Sequence, residues 1–272
     1  QAVALDEEIT AAPADDITIE IVGTSTVDVE GVPTDERNLA VRAARLLARV
    51  GGIDRGAHLS VRKAVPVAGG MGGGSADAAA ALVACDALWG IGMPTADLAR
   101  LAAQLGADVP FALLGGTAVG TGRGDELSPA LASGRFDWVL VPNDQGLSTP
   151  VVYGELDAHR ERHAVDIGPA PRVPAVDPDV LHAIRQGDPR MLAATVRNDL
   201  QAPALHLRPD LARVLERGER SGALAGLVSG SGPTLAFLAA DEIAAIDLQV
   251  TLSAAGFPAL HVHGPVSGAR VV

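Results

Sequence analysis

Apolar and polar positions alternate over Ile17–Val22 and the run stops at Gly23, which predicts a half-buried strand. Beyond Asp35 the spacing changes. Leu39, Ala43, Leu46 and Leu47 recur at helical intervals until Gly51-Gly52, predicting a helix that begins at Asp35. Ala2–Leu5 reads as an apolar strand, and Leu59–Val67 as another. A helix from Ser75 carries Ala78, Leu82, Cys85 and Trp89 on one face and ends at Gly90. Thr95 is expected to cap the next helix, with Leu98, Leu101, Ala102 and Leu105 inward and Gly106 as its stop. A strand over Trp138–Pro142 then closes the first half. His163–Pro178 holds four prolines and little pattern, so it reads as a loop. Helices follow over Val180–Gln186, Pro189–Arg197 and Pro209–Ser221. Leu227-Val228 and Leu235–Leu238 read as strands joined by Ser229-Gly-Ser-Gly-Pro-Thr234, before a helix (Asp241–Ala255) and a strand (Ala259–His263). No internal repeat is visible. The pattern is that of an α+β chain in two halves, with a boundary near Pro142–Pro150.

Composition narrows this picture. At 272 residues there is ample material for two cores, and with 3% aromatics they must be built from Ala, Val and Leu. A net charge of −12 argues against a nucleic-acid partner, which requires a basic face. It does not argue against a single nucleotide held by local amides and a metal ion. No apolar run reaches membrane-spanning length, and no secretory signal is visible, so no membrane partner is expected. The single cysteine, Cys85, falls on the apolar helix face and reads as core, which fits a reducing cytoplasm.

The most informative stretch is Pro66-Val-Ala-Gly-Gly-Met-Gly-Gly-Gly-Ser-Ala76, with five glycines in six residues, between a strand and an alanine-rich helix. Glycine is costly unless the backbone needs positive φ or close approach. A helix N-terminus beside such a loop favours an anion, and a phosphate-bearing ligand is the natural occupant. A flexible linker is the plain alternative. The P-loop pattern is excluded because no lysine follows Gly74, and the dinucleotide fingerprint requires glycine where Ser75 stands.

What remains resembles the second motif of the GHMP kinases, Pro-x-x-x-Gly-Leu-Gly-Ser-Ser-Ala. It resembles most the branch that reads Pro-x-Gly-Gly-Gly-Leu-Gly-Gly-Gly-Ser and phosphorylates the 2-hydroxyl of a cytidyl-diphosphate-linked methylerythritol in non-mevalonate isoprenoid biosynthesis. Ala68 and Met71 are the departures. The resemblance runs from about Leu5 to the C-terminus. It implies a nucleotide-binding α/β domain (1–146), a ferredoxin-like α+β domain (147–272) and an active site in the cleft between them. It also implies ATP and Mg²⁺, with Pro66, Val67, Ala68, Gly69, Gly70, Met71, Gly72, Gly73, Gly74, Ser75 and Ala76 around the triphosphate. Ser75 is a candidate contact for the metal, whose ligands are otherwise unassigned. Oligomeric state is not legible.

Gly106-Ala-Asp-Val-Pro-Phe111 is the second motif of interest. From spacing alone, Asp108 has two readings, a cap for a short helix at Val109 or a functional carboxylate. The resemblance implies the second, a base that accepts the proton of the attacking hydroxyl. Ser229, Gly230, Ser231 and Gly232 resemble the family's third motif, which faces phosphates or substrate. Thr149-Pro-Val-Val-Tyr153 resembles a segment that meets the cytidine end, where Tyr153 would stack; a partly buried helix residue is the alternative. Lys63, the only lysine in the chain, and Asn38 resemble positions near the adenine pocket. Gly115–Gly124 is assigned to strand and turn geometry. Arg197-Asn-Asp-Leu200 matches the family with a structural role open, and His261-x-His263 reads as surface rather than a zinc site. The family's first motif carries a lysine and a later Gly-Tyr-His that are absent here, so both are expected upstream of Gln1. Rival expectations are a homoserine- or mevalonate-type kinase, and a non-catalytic nucleotide-binding protein.

Overall fold

The computed structural model describes residues 1–24, 27–67, 69–143, 145–163 and 176–272. Contacts divide them into two units, one of residues 1–67, 72–129 and 266–272, the other of 68–71 and 130–265.

In the first unit, β1 (Glu8–Ala14), β2 (Ile17–Gly23) and β3 (Gly56–Lys63) form a sheet in the order β1-β3-β2, with β1 antiparallel and β2 parallel to β3. Ile9, Ala11, Ile17, Ile19, Ala57 and Leu59 share the apolar face. On the other face Thr18 meets His58 and Ser60 donates to Glu20, so the sheet is apolar on one side only. The helices are α1 (Leu39–Gly51), α2 (Gly73–Trp89), α3 (Thr95–Leu105) and α4 (Val109–Leu114). Their Ala and Leu positions close one core over that face, including Ala43, Leu47, Ala78, Leu82, Leu101 and Val109. Cys85 is fully buried there and burial pushes its thiol up to about 12, so it is inert core. The expected glycine cluster at 115–124 forms the hairpin β4 (Ala118–Thr121) and β5 (Glu126–Pro129).

In the second unit, β6 (Phe136–Val141) is followed by α5 (Thr149–Arg162), α6 (Pro178–Gln186), α7 (Pro189–Thr195), α8 (Gln201–Leu207) and α9 (Asp210–Arg220). Then come β7 (Ala225–Val228), β8 (Leu235–Leu238), α10 (Glu242–Ala254) and β9 (Leu260–Gly264). The sheet order β7-β8-β6-β9, antiparallel throughout, is the split βαββαβ arrangement of a ferredoxin-like domain. Phe237, Leu211, Val214, Leu248 and Leu252 fill its main core, and Phe136, Ala183, Leu192 and Leu238 a smaller one.

Several sequence expectations shift. Ala2–Leu5 is not a strand: the Ala2 backbone bonds Gly116 and Val266, and the ladder starts at Glu8. The first helix starts at Leu39 rather than Asp35, because the Asn38 side chain caps it. The strand before the glycine loop spans Gly56–Lys63, not Leu59–Val67, and Pro94 rather than Thr95 occupies the next N-cap. The helix after the loop begins at Gly73, two residues before Ser75. The expected Trp138–Pro142 strand does not close the first half. It is β6, bonded to β8 and β9, so the chain changes unit between Pro129 and Ala130 rather than at residue 146. Most of the expected His163–Pro178 loop lies outside the described residues.

Candidate active site

Strand β3 ends at Lys63 and the chain reaches α2 through Ala64–Gly72. Gly69 is buried, Pro66, Met71, Gly73, Ser75 and Ala76 are half-buried, and Val67, Gly70, Gly72 and Gly74 are exposed; Ala68 lies outside the described residues. Gly72 is the N-cap of α2 at φ 70° and has no side chain to offer, while Ser75 N and Ala76 N both bond its carbonyl at 2.9 Å. The remaining first-turn amides have no intrahelical acceptor. A Cβ built on Gly72 would meet nothing within 4 Å among the described residues, so the N-cap is open on that side. An uncapped helix start of this kind attracts an anion.

Charge lies where the loop leaves β3 and enters α2. Lys63 is 3% exposed, and its Nζ donates to Glu7 Oε1 and Asp77 Oδ2, each at 2.8 Å. Glu7 Oε2 also accepts from Ala64 N at 2.9 Å, and a Cβ on Gly73 would stand 3.3 Å from Glu7 Oε1. One ammonium thus ties the approach to β1, the end of β3 and the second turn of α2 together, beside Ala64 and Gly73 at the two ends of the loop. Burial pulls Lys63 down, but the two carboxylates outweigh it and its pKa stands raised. Burial raises Asp77 to about 6 against the pull of Lys63, and its buried Oδ1 has no hydrogen-bond partner among the described residues. Lys63, expected near the adenine pocket, has its ammonium shared by two carboxylates and enclosed.

Asn38 is likewise committed. Its Oδ1 accepts from Ala40 N at 2.8 Å and its Nδ2 donates to Pro33 O at 2.7 Å. The helix it starts is a neighbour of the loop, since a Cβ on Gly74 would lie 3.8 Å from Leu39. Asp108 occupies the N-cap position of α4 yet makes no side-chain capping bond, and it is exposed. The capping alternative therefore lacks its hydrogen bond, and the carboxylate stands free of that duty.

The second glycine turn, residues 229–234, joins β7 to β8 and is closed by Ser229 N to Thr234 O and Gly232 N to Ser229 O, both 2.8 Å. Gly70 packs on it: a Cβ there would fall 2.6 Å from Gly232 O and 2.8 Å from Ser229 O. Ser231, buried, shares a 2.8 Å hydrogen bond with Thr149 at the start of α5. One turn later on that helix Tyr153 is 54% exposed. The structure thus joins Gly70 with Ser229 and Gly232, and Thr149 with Ser231. No hydrogen bond among the described residues ties Asp108 or Tyr153 to these groups.

Sequence reasoning missed Glu7, Asp77 and Gln201, and singled out Asn198 only within Arg197-Asn-Asp-Leu200, with a structural role left open. Asp77 was the detectable one, because it shares the helical stripe of Ala78, Ala81, Leu82 and Cys85, a buried phase where a carboxylate needs a partner. His261 is also corrected: it is not surface, but bonds buried Asp137 Oδ1 at 2.7 Å. Among the described residues no group of three His, Cys, Asp or Glu side chains could hold a metal ion, and no helix is long and apolar enough to cross a membrane.

Known proteins match this arrangement closely. The model of the GHMP kinase N-terminal domain matches residues 38–116, and that of the GHMP kinase C-terminal domain residues 180–257. A 4-diphosphocytidyl-2-C-methyl-D-erythritol kinase from Leifsonia xyli subsp. xyli is 61% identical over 100% of this chain and 89% of its own length. The like-named protein of Clavibacter michiganensis subsp. michiganensis is 60% identical, over 100% of this chain and 86% of its own. Among solved structures, a 4-(cytidine 5'-diphospho)-2C-methyl-D-erythritol kinase at 30% identity superposes with TM-score 0.73, covering 96% of this chain and 87% of that one. A homoserine kinase from Cytophaga hutchinsonii, at 18% identity and TM-score 0.74, shares the fold over 98% of this chain and 88% of its own.

Proposed function

We propose, from the premise that this chain belongs to the GHMP kinase family, that it transfers the γ-phosphate of ATP to the 2-hydroxyl of 4-diphosphocytidyl-2-C-methyl-D-erythritol. This is a step of non-mevalonate isoprenoid biosynthesis. The observation that carries the phosphate part is the uncapped start of α2 at Gly72, with open space where a Gly72 side chain would stand. The choice of acceptor is supported by relatives of that name at 61% and 60% identity.

In this reading the triphosphate lies along Gly69–Gly74, where exposed Gly70, Gly72 and Gly74 let oxygens approach the backbone. The β-phosphate meets the first amides of α2 near Ser75. Pro66, Val67, Met71 and Ala76 shape the flanks of the loop, with Asn38 and Lys63 holding it from behind. Phosphoryl transfer asks for positioning and charge stabilisation more than covalent chemistry. Asp108, free of capping, accepts the proton as the substrate oxygen attacks in line, a contribution of about 10²–10⁴-fold for a positioned base. Tyr153 offers its exposed face to the cytosine ring, and Thr149 with the Ser229–Gly232 turn flanks the substrate.

Mg²⁺ fits this donor set as a phosphate-borne ion, since such sites use one or two protein oxygens plus phosphate, and Ser75 is the hydroxyl at hand. When bound it neutralises charge on the phosphate oxygens. The test is phosphate transfer from ATP, offered in parallel the cytidyl substrate, mevalonate and homoserine. The expected result is turnover of the cytidyl substrate with the others at background. Preferred turnover of mevalonate or homoserine would refute the acceptor assignment, and no transfer to any of the three would refute the kinase reading.

A further inference from the structure

Arg197-Asn-Asp-Leu200 lies between α7 and α8, and nothing in the chemistry so far uses it. Its asparagine reaches the second glycine turn. Asn198 Nδ2 donates to Val228 O at 2.8 Å and to Gly230 O at 2.7 Å, while Oδ1 accepts from Leu200 N at 2.9 Å. Two carbonyls on one side and an amide on the other fix which way this side chain points, because the flipped amide would set oxygen against oxygen. Next to it, Gln201 Oε1 accepts from Val228 N at 3.1 Å. Together the two amides grip the end of β7 at both its N–H and its C=O.

The gripped turn has two dependants. Gly70 of the phosphate loop packs against it, with Ser229 Oγ 3.4 Å from Gly70 O and a Cβ on Gly230 only 3.2 Å from that oxygen. Ser231 bonds Thr149, the first residue of the helix that carries Tyr153. A shift of the turn by a fraction of an ångström therefore reaches Gly70 and the start of α5 together.

We propose that Asn198 is a positioning residue for phosphoryl transfer, clamping the Ser229–Thr234 turn so that Gly70 and the Thr149–Tyr153 segment hold their places for ATP and acceptor. This rests on the reading of that turn and of Gly70 as parts of the phosphate site. Asn198 touches neither substrate itself.

The test compares Asn198→Ala, Asn198→Asp and Gly70→Ala in the full-length enzyme, with kcat, both KM values and the urea midpoint measured for each. Asn198→Ala removes both donors and should lower kcat/KM for ATP and acceptor by about 10–100-fold, the size expected for a small misplacement. Asn198→Asp is nearly isosteric and keeps the Leu200 acceptor, yet cannot donate at neutral pH and turns oxygen toward two carbonyls. It should be at least as impaired as alanine, which a role limited to filling space does not explain. Gly70→Ala reports on the underlying reading and should also raise KM for ATP. If both Asn198 variants keep wild-type KM values while Gly70→Ala does not, the proposal is overturned and the site reading stands. If Gly70→Ala is also silent, both fall. Should the Asn198 variants not fold, Gln201→Met removes one bond to the same strand end, and a two- to tenfold rise in the KM for ATP is expected; an unchanged KM would overturn the clamp.

Discussion

Beside Ala64 and Gly73 stands a buried ammonium between two carboxylates, whereas behind Ser229–Thr234 stand the neutral amides of Asn198 and Gln201. Under the proposed function both glycine turns hold a fixed backbone for a ligand, yet their supports differ in physics. An ion cluster at about 3% exposure is strongly coupled, since removing one member leaves uncompensated charge in a poor solvent. It also titrates. An amide clamp is weaker and insensitive to pH, but it is directional, because donor and acceptor cannot be exchanged. The two supports should therefore fail in different ways.

The largest difference is expected from Lys63→Met, which leaves Glu7 and Asp77 facing each other without a cation. Destabilisation of about 3–5 kcal/mol is expected, read as a urea-unfolding free energy at pH 7. A loss below about 1 kcal/mol would mean that the cluster is not the principal support of the first loop.

A middle-sized effect lies in pH. Burial lifts Asp77 to about 6 from an ordinary value of 3.8, so the folded state holds this proton more tightly than the unfolded chain. The stability contributed by that group is fully present below about 3.8 and is lost as pH rises through about 6. On acidification from pH 7 to 4.5, wild type should gain stability relative to Asp77→Asn, whereas Asn198→Ala should track wild type. Urea midpoints at the two pH values decide it. Parallel behaviour of Asp77→Asn and wild type would remove the distinction between the two supports.

The smallest effect is expected at Gly72→Ala. The added methyl meets no atom within 4 Å, so only the left-handed backbone at φ 70° resists it. The expected loss is about 1–2 kcal/mol of stability by thermal unfolding, with the loop's shape retained. A much larger loss would indicate a clash that the open space does not contain.

The sequence made local elements legible and long-range partnerships illegible. The stripe Ala78, Leu82, Cys85, Trp89 was readable because helical period needs only one segment, and the hairpin around Ser229–Thr234 because its strands are adjacent. Strand β1 escaped notice because Ala and Pro in Glu8–Ala14 hide its alternation, and α8 because Pro203 interrupts Gln201–Leu207. The place of β6 could not be read at all, since its partners lie near residues 236 and 262. The motif glycines and Asp108 stood out by residue type and spacing. Glu7 and Asp77 did not, and Asn198 stood only within a motif of open role, because each gains its role from a partner that only folding brings near.

Of these groups, Asp108 bears most directly on whether the chain performs phosphoryl transfer as described. Asp108→Asn preserves size and the ability to cap α4, but cannot accept a proton at neutral pH. Steady-state turnover with ATP and the cytidyl substrate, together with ATP affinity by calorimetry, separates the two roles. The expected outcome is a fall of about 10²–10⁴-fold in kcat with ATP affinity unchanged. A near-wild-type kcat would contradict it, returning Asp108 to a structural place at the head of α4.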